Sequence, residues 1–335
     1  FSFLDGHYNQ IGFQDVQVNH KRMPVVNGAE EARALAEKVN AHLVVYGDVV
    51  VIGDQVQVTP QFYVVETHKS DVGELSGEQE LAARIRLNKQ DLVDPSAEAL
   101  RQMEASAKIL TEFTKALVYL AAGQPGDLEL SAYSIESAIA EGEHYGSFKG
   151  KEVLYLIASD VARRQGHMDD AQSYVEQAID LNQNYGRGYV AQANIYYDLE
   201  DLDRAVTTYE LAKTLIDQPF GAYIVEKASL GIGNSCLMQF QYVKQNPAAG
   251  SAAGIELANC AIDHYQVVID SYLQKKKPEA SLREAAAWAY YGSGVVYHES
   301  EELEAARQVF DQVLRLTETR DLQERARNRL SELDG

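Results

Sequence analysis

Small and apolar residues between Lys151 and Asp217 form a pattern that falls on itself when shifted. Ala171 lands on Ala205, Ala178 on Ala212 and the turn residue Gly166 on Glu200, each an offset of 34 residues. A period of that length predicts paired antiparallel helices stacked as a solenoid. The first helix of each pair carries small or aromatic residues at Ala158, Ser159 and Ala162, then at Ala193 and Tyr196, with Gln192 at the place of Ala158. Small side chains let two helices approach closely, while Val175 and Tyr209 fill the gap toward the next pair.

The N-terminal part has a different period. A short apolar alternation at Phe13, Val16 and Val18 breaks at Pro24, and a helix is then predicted with Asn27 as N-cap and Glu30 closing a capping box. Two β-rich runs flank Gly53 and Asp54, which predicts a hairpin. In the second run Val56, Val58, Pro60, Phe62 and Val64 share one face. Pro60 lacks a backbone donor, so this strand is expected at a sheet edge or to bulge there, with the more apolar Leu43–Val51 run inside. Residues 67–95 read as a polar connection holding at most a short strand at Arg84–Leu87. The domain boundary belongs there, giving a small α+β domain over 1–93 and an all-α solenoid over 94–335.

Within the second part a long helix is predicted from Ser96 to Ala122, ended by Gly123, Pro125 and Gly126 and paired with Leu128–Ala140. After the two clear repeats, one unit is interrupted by an insertion near 241–254 whose Asn246, Pro247, Gly250 and Gly254 do not continue a helix comfortably. A last repeat starts near Ala287, and Asp321–Leu333 is expected to cap the array, making about five repeat-like units.

Charge narrows the function. The formal net charge is -20, which argues against a nucleic-acid partner and disfavours an anionic membrane surface. No apolar run approaches the roughly 18 residues of a transmembrane helix. The chain opens on Phe1 rather than Met, so a processed or trimmed start is expected, and a preceding signal or anchor stays open, as does the compartment. Cys236 and Cys260 sit on the two helices of one repeat, where separate core fillers and a disulfide are both open readings.

Candidate chemistry is sparse. Metal spacings such as HExxH or CxxC do not occur, and the eight histidines are scattered. Gly231-Ile232-Gly233 lacks the preceding strand and following GKS or GKT of a nucleotide loop; tight helix packing explains it better. Gly292-Ser293-Gly294 lacks the strand-turn-helix setting of a nucleophile elbow. No cofactor, metal or catalytic role is expected.

The repeating positions Ser159, Ala171 and Ala178, then Ala193, Ala205 and Ala212, resemble the tetratricopeptide repeat family, whose consensus has small residues at those places. That resemblance implies a superhelix with the first helix of each pair on a concave face. Carried onto this chain, the exposed positions are Val153, Leu156, Asp160, Arg163 and Arg164, then Arg187, Val190, Asn194, Tyr197 and Asp198, and later Trp288, Tyr291, Val295 and His298. Val190 stands where the carboxylate-clamp subclass has lysine, so a partly apolar protein segment suits the groove better than a free C-terminus. A second resemblance runs over Val16–Glu66: Ala41, Val44, Val45, Gly47, Val49, Gly53, Asp54, Val56, Val58 and Phe62 are similar to the N-terminal domain related to that of TolB, which implies a recognition or assembly module in a bacterial protein.

These readings converge on a noncatalytic scaffold or adaptor in a bacterial signalling or envelope-associated complex. Arg163, Arg187, Asn194, Tyr197, Trp288 and Tyr291 are its candidate protein-binding residues, with a basic or partly apolar protein or peptide as partner. For Trp288 and Tyr291, inter-repeat packing is an equal reading. The alternative is a small-molecule sensor with a pocket at the domain junction or under the inserted loop around Pro247. Self-association is left open.

Overall fold

The computed structural model describes residues 25–39, 41, 43–65, 76–80, 85–122, 126–145, 150–215, 219–246 and 251–334. The alternation at Phe13, Val16 and Val18 lies outside them, as does Pro247. The chain forms two compact units.

The first unit comprises 1–65 and 78–157. Helix α1, Ala29–Val39, buries Ala29, Ala32 and Ala36, the stripe expected from the spacing. Its start is one residue later than predicted: Glu31, not Glu30, reaches back, accepting from the Asn27 amide at 2.9 Å and from its side-chain amide at 3.0 Å. With Gly28 preceding Ala29, it is Glu31 that occupies the third helical position from which a carboxylate can fold back.

Strands β1, Leu43–Ile52, and β2, Gln55–Val64, form the hairpin around Gly53, which takes φ +60°. Their placement reverses the expectation. Among the described residues the sheet has four strands, with β1 at the edge and β2 inside, paired on its other side with β3, Gly77–Glu80, and β4, Ile85–Asn88. On the β4 side the ladder covers only Gln55–Val58 and stops short of Pro60. Opposite Pro60 lies Gly47, where a Cβ would come 2.4 Å from the Thr59 carbonyl oxygen. The passage read as a connection therefore contributes two strands; β3 was not foreseen. Both sheet faces are covered near the end of β2: Tyr63 packs with α1, and Phe62 meets Phe113 of helix α2, Ala97–Ala122, with ring centroids 4.8 Å apart. Ser96 caps α2 by accepting from the Ala99 amide. Helix α3, Asp127–Tyr145, pairs with α2, and its buried Ser131 donates to the Ala116 carbonyl at 2.9 Å.

The second unit comprises 158–335 together with 66–77. Helix α4, Lys151–Arg164, enters it at Ala158. The hairpins follow: α5, Met168–Leu181; α6, Gly186–Asp198, with α7, Leu202–Thr214; α8, Ile224–Gln245, with α9, Ser251–Gln274; α10, Ala280–Glu299, with α11, Leu303–Leu316; then α12, Arg320–Asp334. Ala171, Ala178, Ala205, Ala212 and Ala306 are wholly buried, so the small positions sit at successive helix contacts.

From α6–α7 onward, one ring per hairpin holds the stack together. A Cβ on Gly231 would come 2.2 Å from the Tyr209 ring, on Gly292 2.3 Å from Tyr265, and on Gly294 2.5 Å from Phe310. Glycine lets each ring lie against the helix backbone, which is the packing role expected for Gly231 and Gly233. Cys236 and Cys260 form a disulfide between α8 and α9, with Cα atoms 6.0 Å apart.

Candidate functional site

The candidate residues lie on first helices of successive hairpins, and the structure gives them unequal exposure. Val153, Leu156, Asp160, Arg187 and Val190 are buried, so these positions are not open face as expected. Of these, Val190 joins the hydrophobic core of the repeats. Arg163 is half-buried and forms ion pairs with Asp160 at 3.0 Å and Asp198 at 2.8 Å, linking α4 to α6. Arg164 pairs with the same Asp160 at 2.9 Å, so this buried carboxylate is held by two guanidinium groups.

Asn194 is half-buried and accepts a hydrogen bond from the Tyr209 hydroxyl. Its counterpart Asn234 accepts from Tyr265 at 2.9 Å. The asparagine thus orients the seam ring, a role invisible in the sequence because its partner lies on the other helix. Tyr197, also half-buried, has its hydroxyl pKa raised by desolvation and by the neighbouring Asp198. Arg163, Asn194, Tyr197 and Asp198 therefore share one stretch of the α4 and α6 first helices.

Trp288 and Tyr291 resolve toward packing. They meet edge-on with centroids 6.0 Å apart, Tyr291 stands 5.8 Å from Phe310, and the Arg325 guanidinium of α12 lies 6.0 Å over the Trp288 ring. Both join the cluster of Val313, Leu322 and Ala326, so the C-terminal helix covers them.

Arg187 leads to a feature that sequence reasoning missed. Its guanidinium, 2% exposed, donates to the Ser76 carbonyl at 2.7 Å, and Lys227 donates to the Ser76 hydroxyl at 2.9 Å. Arg187 precedes Asn194 by seven residues, as Lys227 precedes Asn234. Seven residues are two helical turns, so the two cations occupy equivalent places on α6 and α8. Sequence separations of 111 and 151 hide these contacts from any local pattern.

The inserted repeat also shapes a surface. Helices α8 and α9 have 22 and 24 residues against 13 each for α6 and α7. Beside their extra turns lies a cavity of about 770 Å³, lined by residues that include Leu199, Glu200, Met238, Tyr242 and Leu257. Its signal in the sequence is the interruption of the repeat. Among the described residues no three His, Cys, Asp or Glu side chains gather as a metal site, and no helix is long and apolar enough to cross a membrane.

A stack of helical hairpins sealed by small residues and, from α6–α7 onward, one ring per pair defines an α-solenoid. Residues 158–219 and 289–320 match family models described as tetratricopeptide repeat, and the chain carries these repeats. Such repeats generally mediate protein–protein interaction, and no catalytic family is indicated. Among solved structures, the chain is similar to YrrB, a tetratricopeptide repeat protein with an unusual peptide-binding site, at 15% identity and TM-score 0.39, covering 69% of this chain and 96% of that one. It is also similar to a tetratricopeptide repeat protein from Parabacteroides merdae, at 13% identity and TM-score 0.30, covering 68% and 99%. No curated protein sequence matches the chain. Nothing found supports the TolB-type resemblance of the N-terminal unit.

Proposed function

We propose that this chain is a noncatalytic scaffold that binds a protein segment along the first helices of its repeats, within a bacterial signalling or envelope-associated complex. The observation that carries the binding site is the run of half-buried Arg163, Asn194 and Tyr197 across α4 and α6. It combines a guanidinium, an amide and an aromatic ring, the side chains that give a groove both hydrogen bonding and apolar contact. The complex is suggested by the order of a small α+β module followed by repeats. Quantitative pull-down from the source cells should recover a protein whose yield falls at least tenfold when Arg163, Asn194 and Tyr197 are all changed to Ala. Undiminished capture by that variant refutes the groove.

A second reading, a small-molecule sensor, draws on the cavity beside α8 and α9, whose volume lies within the few hundred to about 1,000 Å³ of ligand pockets. Native mass spectrometry of gently purified protein should then show a retained low-mass species. Ligand-free protein with no thermal shift across a metabolite panel removes this reading.

A further inference from the structure

Ser76 and Gly77 cluster with the repeats, and the repeats hold them as they would a ligand. Ser76 is 2% exposed. Its carbonyl accepts from Arg187 and its hydroxyl from Lys227, at 2.7 and 2.9 Å. The first contact grips any peptide backbone; the second selects a hydroxyl side chain. Gly77 takes φ +89°, and a Cβ there would lie 2.5 Å from the Phe220 carbonyl oxygen, 2.7 Å from the Gly221 carbonyl carbon and 2.9 Å from the Ala222 nitrogen. All three are backbone atoms and cannot swing away, so the position admits glycine alone.

We propose that Arg187, Lys227 and the backbone of Phe220–Ala222 form a peptide-binding site that reads a Ser-Gly step, filled in cis by Ser76–Gly77. It rests on the reading that this array binds protein segments, and it names the segment. Two cations make the site reversible: once the segment leaves they are rehydrated, whereas an apolar socket would be left bare to water. Tethering supplies the cis segment at an effective concentration of the order of millimolar, so an incoming Ser-Gly segment has to outcompete it.

The test uses the full chain and a fluorescent peptide of residues 72–80. Gly77→Val removes the cis competitor by collision with Phe220–Ala222. This variant is expected to bind the peptide at least tenfold more tightly than the wild type, and adding Arg187→Ala should abolish the gain. Binding no tighter than wild type, or a gain that survives Arg187→Ala, overturns the site. A measurement independent of how Gly77→Val folds is hydrogen exchange at 76–77, which should accelerate at least tenfold in Arg187→Ala and in Lys227→Ala. Unchanged exchange in both overturns the site as well. If the peptide fails while the Arg163–Asn194–Tyr197 variant still loses its cellular partner, the Ser-Gly site falls and the groove stands.

Discussion

The hairpins α6–α7 and α8–α9 share one lock and differ in almost everything outside it. In each, an asparagine of the first helix accepts from a tyrosine hydroxyl of the second, Asn194 from Tyr209 and Asn234 from Tyr265. Each ring then lies against a glycine of the following first helix, Gly231 or Gly292. Yet the second hairpin is longer by several turns, carries the disulfide and borders the cavity. A repeat is therefore specified by a few contact positions, and the turns beyond them are free to grow into a surface of their own.

Removing the lock gives the largest effect. Tyr265→Ala empties a wholly buried ring site and should cost about 3–5 kcal/mol in chemical denaturation. Gly292→Ala, damaging in the wild type because of overpacking, should be tolerated better in the Tyr265→Ala background; equal cost in both backgrounds would show that ring and glycine are not coupled. Tyr209→Ala should behave alike if the two locks are equivalent.

The disulfide distinguishes the hairpins next. Cys236 and Cys260 close a loop with sequence separation 24, so Cys236→Ser should lower stability by about 3 kcal/mol on chain-entropy grounds. Hydrogen exchange should localise the loss to α8–α9 and leave α6–α7 protected. Uniform loss across the repeats would show that the hairpins do not open independently.

The turns give a smaller effect of opposite sign. Gly166, Glu200 and Glu301 all take positive φ, at 79°, 59° and 65°, and all end a first helix in the same way. Only Gly166 suits that conformation without a steric cost. Glu200→Gly should therefore raise stability by roughly 0.5–1 kcal/mol, the relief of left-handed strain exceeding the entropy that glycine adds to the unfolded chain.

The smallest effect is set by pH. His264 of α9 has its pKa lowered by burial and by Lys213, opposed by Glu210 at 3.6 Å and by Asp263. The unfolded chain then binds the proton more readily than the folded one, so stability is full above the ordinary histidine pKa of about 6.5 and declines as pH falls below it. His264→Gln should flatten this slope in thermal melts between about pH 7 and 5; an unaltered slope would assign it to other groups.

Much of the second unit was legible because its core follows a period. The small residues at Ala171, Ala178, Ala205 and Ala212, the seam residues Val175 and Tyr209, and the C-terminal cap with Leu322 and Ala326 lie where their spacing puts them. The candidate surface was less legible. Periodicity states which helix face a residue occupies, but not whether another segment covers that face, so Arg187, Trp288 and Tyr291 could not be separated from Arg163 and Tyr197. The sheet order was misread for a related reason. Pro60 forbids a donor at one place, but it does not say which strands flank β2, and β3 and β4 arrive from later in the chain.

By itself the sequence determined the hairpin period, the tight helix packing at Gly231 and the fold class of an α+β region followed by an all-α array, because each depends on local spacing or on the volume of a side chain. Tertiary structure alone decided that Cys236 meets Cys260, that Asn194 serves Tyr209, and that Arg187 and Lys227 converge on Ser76. Those contacts join residues from 15 to 151 positions apart, and such a meeting is created by the stacking of whole helices rather than by any preference of the residues themselves.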